Sequence, residues 1–77
     1  MSYMQILNMA TIRSLIIDAL EKKYESDISK ADATIKVYLE NPVGIGEHPQ
    51  IVDEVDKQIS SICKAKEKLE ELKNFKD

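Results

Sequence analysis

The chain has 77 residues, with 14 acidic and 11 basic side chains and a formal net charge of −3. The two signs are mixed along its length, which excludes a phosphate-gripping basic block and an acidic mimic of nucleic acid. One cysteine, Cys63, and one histidine, His48, exclude an internal disulfide and make a protein-only zinc site unexpected, so self-association is the remaining way to supplement a core this small.

The first element predicted is a long helix over residues 2–40. Ser2-Tyr3-Met4-Gln5 fits a capping box at its start, with the serine taking free amides and the glutamine reaching back. Asn41 precedes Pro42, which pushes it out of helical geometry and sets the end at Glu40. The first twenty residues are apolar but lack a basic start and are interrupted by Asn8, Arg13 and Asp18. They read neither as an export signal nor as a membrane span, so a cytoplasmic location is expected. Ile17, Leu20 and Tyr24 are followed eleven residues later by Ile28, Ala31 and Ile35, and then by Leu39. That spacing matches a straight helix and predicts one buried face with little supercoiling.

Residues 41–48 form the connection, and together with Pro49 they hold every glycine, every proline and the histidine. Gly44-Ile45-Gly46 ahead of a helix invites a phosphate-loop reading. No strand precedes it, however, no lysine or serine follows in register, and Glu47 puts negative charge where the phosphate would sit. The favoured reading is geometric: Gly44 and Gly46 supply positive φ, while Val43 and Ile45 plug the end of the hairpin. Glu47 and His48 form a weak acid–base or metal signal with no second carboxylate or nucleophile beside it. His48, the residue before Pro49, reads better as an N-cap or as a ring stacked on the loop. Pro42, Gly44, Gly46, Glu47 and His48 remain the candidate residues if the loop is recognised by anything.

A second helix is predicted over residues 49–75, with Pro49 in its first turn. Asp53, Glu54 and Asp56 lie near its start, while Lys64, Lys66, Lys68, Lys73 and Lys76 crowd its second half, and both placements complement the helix dipole. Its seam reads Val52, Val55, Ile59, Ile62, Leu69 and Leu72, with Ala65 or Lys66 filling the gap. Alternating spacings of three and four residues indicate antiparallel packing or a short coiled coil. Cys63, beside Ile62, is expected to be a half-buried small hydrophobe. The lysines alternate with Glu67, Glu70 and Glu71 and read as a solvated face.

The expected fold is thus all-α, an antiparallel helical hairpin. Leu39 should lie near Val52, Ile28 near Ile62, and Asp77 opposite about Thr11. The first helix then overhangs the second by roughly three turns. The overhang carries Tyr3, Met4, Ile6, Leu7, Met9 and Ile12, an apolar surface rarely left in water. These residues are the expected protein interface, and a dimeric four-helix bundle is the expected assembly.

The loop Asn41-Pro42-Val43-Gly44-Ile45-Gly46-Glu47-His48-Pro49, set between two charged amphipathic helices, resembles that of small helical-hairpin proteins encoded by tailed marine bacteriophages. The resemblance covers the loop and the following helix to about Leu72, and the N-terminal arm matches only in being helical. No activity is attached to that family, so the resemblance implies a virus-encoded hairpin and carries over no catalytic, cofactor or metal-binding residue. The function expected is a non-enzymatic interaction or oligomerisation module: an adaptor, an assembly factor or an inhibitor of a host enzyme. The alternative is a nucleic-acid accessory protein in which Lys64, Lys66, Lys68 and Lys73 line up across subunits. Mixed charge makes nucleic-acid binding the weaker expectation, and neither a cofactor nor a membrane partner is expected.

Overall fold

The computed structural model describes residues 11–41 and 50–76. Over this range it is all-helical: α1 spans Ile12–Glu40, α2 spans Gln50–Leu72, and a 3₁₀ turn follows at Lys73–Phe75. No strand is present among the described residues.

Helix α1 begins later than the capping signal at Ser2 suggests. Thr11 is its N-cap, in extended geometry at φ −83° and ψ 159°. The Ser14 amide donates to Thr11 Oγ1 at 3.0 Å, and the Thr11 amide donates to Ser14 Oγ at 3.1 Å. This reciprocal pair satisfies amides that a helix start leaves open. A continuous helix from Ser2 to Glu40 is therefore ruled out, because Thr11 has left helical geometry; Ser2 and Gln5 themselves lie outside the described residues. The far end is as expected. Asn41 adopts φ −112° and ψ 88°, and its amide donates to the Val37 carbonyl at 3.1 Å, the local result of a following proline.

Helix α2 carries Asp53 in its first turn, the end that attracts negative charge. It stops at Leu72, three residues before the expected end at Phe75, and tightens there into the 3₁₀ turn. Tightening lets the last carbonyls find partners after the α pattern fails. Its own last turn holds no basic residue; Lys73 sits in the 3₁₀ turn.

The helices pack antiparallel. Tyr24 meets Lys68, Glu21 bonds Lys76, and Arg13 donates to the Phe75 carbonyl, so the first half of α1 lies against the last residues of the described chain. The last of these sets the start of α1 level with the end of the described chain, as expected. Burial recurs every seven residues: Ile17, Tyr24, Ala31 and Tyr38 on α1, and Ile51, Gln58, Ala65 and Leu72 on α2. Ile28, Ile35, Val55, Ile62 and Leu69 are half-buried between them. A seven-residue recurrence is that of a coiled-coil seam. Ala31 and Ala65, at 3% and 2% exposure, sit at its middle, where small side chains let two backbones approach closely.

Four seam assignments fail. Leu39, Val52 and Ile59 are exposed, at 67%, 72% and 47%, because Tyr38, Ile51 and Gln58, one residue earlier in each case, take the inward positions. One residue is about 100° of helical rotation, enough to turn a side chain from the seam to the flank. Cys63 is also exposed: it lies two residues from Ala65 and so about 200° around from the seam. Of the two residues offered for the gap in α2, Ala65 fills it and Lys66 is exposed.

Candidate functional site

The end of the hairpin opposite the loop has two unlike flanks. On one, Ile16, Leu20 and Tyr24 recur along α1 at four-residue intervals and face Lys68 and Leu72 of α2 and Phe75 of the 3₁₀ turn. With Arg13, Ile17 and Glu71 they line an open groove of about 440 Å³. Its walls are mainly aliphatic and aromatic, and Ile16 and Phe75 are each 54% exposed. Spacings of three and four residues keep each set on one face of its helical segment, so the two sets form facing rows.

The other flank is charged. Asp18, Glu21, Glu25, Lys66, Glu70, Lys73 and Lys76 line its shallow clefts, with Leu69 also in the lining and Arg13 and Ile17 shared with the groove. Lys73 pairs with Glu70 at 2.9 Å, and Lys76 reaches across to Glu21. Further along α1, Asp18–Lys22 at 2.9 Å and Asp32–Lys36 at 2.8 Å are spaced i, i+4 with the acid first, the favourable order along the helix dipole. The hydrogen bonds from Lys22 to Asp18 and from Lys36 to Asp32 favour the ammonium form and raise both amines above the ordinary lysine value. All four side chains face solvent, so these pairs hold the helix surface and do not make a site.

Among the residues expected to form the interface, Ile12 is described and stands 77% exposed, outside the groove's lining. Tyr3, Met4, Ile6, Leu7 and Met9 lie outside the described residues, as do the loop positions Pro42, Gly44, Gly46, Glu47 and His48. The groove itself went unrecognised in the sequence. Its signal was present as Ile16, one residue before the expected seam, and Phe75, three residues beyond Leu72.

The four lysines of the alternative reading divide between flanks. Lys64 and Lys68 line one mid-hairpin cleft, while Lys66 and Lys73 line the charged flank. Lys68 also sits over the Tyr24 ring, 5.5 Å from its centroid, and Lys23 approaches the same ring at 6.0 Å. Among the described residues no group of three or more His, Cys, Asp or Glu converges as a metal site, and no described helix is long and apolar enough to cross a membrane. No family model, curated protein or solved structure matches the chain.

Proposed function

We propose that this protein is a non-enzymatic helical interaction module that self-associates, as a dimeric four-helix bundle. One observation carries the reading: among the described residues only Ala31, Ala65 and Leu72 are buried, against eight large apolar side chains left exposed. A two-helix layer with so small a core gains most by covering its apolar flanks, and a second copy related by a twofold axis does so with identical surfaces. The apolar N-terminal arm, Tyr3 to Ile12, supplies further material for that core or for gripping another protein. In a virus-encoded setting such a module acts in the host cytoplasm as an adaptor, an assembly factor or an inhibitor of a host enzyme.

Light scattering coupled to size exclusion, at micromolar concentration, tests the assembly. The expected mass is twice that of the 8.8 kDa chain, and Ile59→Lys, at an exposed position in the middle of α2, should shift it toward the monomer. A wild-type monomer overturns the reading. The alternative, a nucleic-acid accessory protein, has less support because its lysines lie on different flanks. Firm retention on heparin at low salt would favour it instead.

A further inference from the structure

We infer that two copies of this chain pair through the flank that carries the charged clefts, with both hairpins pointing the same way about a twofold axis parallel to the helices. The inference rests on the assembly reading above and adds to it the surface and the orientation.

Toward the loop end this flank becomes an aliphatic strip. Seven residues fall within about 20° of two full helical turns, so each such step returns to nearly the same face. Steps onward from Glu21 and Glu25, which line a cleft there, reach Ile28, Ile35 and Leu39 on α1. Steps back from Lys66 and Leu69 of the same cleft reach Val52, Val55, Ile59 and Ile62 on α2. Leu39, Val52 and Ile59 are the exposed members, and the other four are half-buried. Asp32 is the charged residue met on these steps, and Lys36 pairs with it at 2.8 Å. The groove's flank changes the opposite way. The same steps from Ile16, Leu20, Lys68 and Glu71 reach Lys23, Asp27, Ser61 and Lys64, so its apolar part stops at mid-hairpin.

The charges name the occupant. Glu25 and Lys66 line one cleft and set the register between the helices. Fourteen residues onward along α1 and back along α2, Leu39 is level with Val52; seven residues the other way, Asp18 is level with Lys73. On this flank α1 is therefore acidic where α2 is basic, and both are apolar toward the loop. A twofold axis parallel to the helices lays α1 of one copy on α2 of the other at equal height. Leu39 then meets Val52 of the other copy, while Glu25 and Asp18 meet its Lys66 and Lys73, and each contact occurs twice. Glu25 and Lys66 form no ion pair among the described residues, so both are open to a partner. A head-to-tail pairing lays α1 on α1 instead. At full overlap it sets Leu39 against Asp18 of the other copy, which desolvates an acid against an aliphatic side chain. Apolar meets apolar and acid meets base in the parallel orientation.

The test mixes full chains that each carry one cysteine in a Cys63→Ser background, so that every mixed disulfide joins two copies. One mixture combines Leu39→Cys with Val52→Cys, and the control combines Leu39→Cys with Asp18→Cys. Under mild oxidation at micromolar concentration, read by mass spectrometry, the 39–52 disulfide should form on the order of tenfold faster than the 39–18 one, because pairing concentrates thiols at matched heights. A 39–52 rate no greater than the control overturns the inference, even in a chain shown to be dimeric. Val52→Lys should also raise the dimer dissociation constant on the order of tenfold or more with helicity unchanged, whereas Ile16→Lys, in the groove, should leave it within about twofold. The reverse pattern gives the interface to the groove and overturns this inference while the assembly reading stands. A wild-type chain that stays monomeric refutes both.

Discussion

Lys68 of α2 holds its ammonium 5.5 Å from the centre of the Tyr24 ring on α1, so a charged residue closes the seam at the inner end of the apolar groove. The aliphatic stem of a lysine covers apolar surface while its head stays in water. Both residues keep some exposure, which places the contact at the weak end of the cation–π range. Lys68→Ala should lower stability by about 0.5–1 kcal/mol and Lys68→Arg should be nearly neutral. Urea unfolding followed by circular dichroism checks this, and an alanine variant as damaging as Leu72→Ala would show that Lys68 is a core position.

The buried positions should respond by their volume. Leu72→Ala should cost roughly 2–4 kcal/mol, as large-to-small core changes do. Ala31→Leu or Ala65→Leu should cost about 1–3 kcal/mol by forcing the helices apart. Val52→Ala, at an exposed site, should stay within about 0.5 kcal/mol in the isolated chain. The ordering of the three melting temperatures is the readout, and a Val52 variant as unstable as the Leu72 one would restore Val52 to the seam.

Thr11 caps α1 through its side-chain oxygen. Thr11→Ala should destabilise by about 1 kcal/mol, while Thr11→Ser keeps the oxygen and most of the stability. Amide exchange of Ser14 and Leu15 should quicken in the alanine variant only. Unchanged exchange at Ser14 would mean that the cap does not form in solution.

Exposure of Cys63 gives a chemical check on the rotation of α2. A neutral thiol reagent should modify the folded protein completely without denaturant. Protection that is lifted only by unfolding would place Cys63 on the packed side and displace Ala65 from it.

The raised pKa values of Lys22 and Lys36 come from hydrogen bonds to Asp18 and Asp32. An amine raised in the folded state contributes its stabilisation fully below the unfolded lysine value and loses it as pH climbs through the folded one. Helicity should therefore decline at strongly alkaline pH, most clearly at low salt, where the ion pairs are least screened. Asp18→Asn with Asp32→Asn should remove part of that dependence, and a double variant with the wild-type alkaline profile would show that these pairs do not contribute.

The two-helix architecture was legible in the sequence because its determinants are local. Asn41 before Pro42 ends α1 at Glu40 whatever surrounds it, since the proline ring clashes with a helical predecessor. The six inward residues from Ile17 to Ile35 were legible for a similar reason: apolar spacing reports which face of a helix must leave water. Thr11-Ile12-Arg13-Ser14 was also a readable cap, passed over for the one at Ser2. What the tertiary structure decided was rotation and register. Leu39 and Tyr38, or Val52 and Ile51, are both apolar enough to face a partner, and only the seven-residue seam running through Ala31 and Ala65 selects between them. The groove arose in the same way, because Ile16 and Phe75 are distant in sequence and become one surface only when antiparallel packing sets the start of α1 beside the end of the chain.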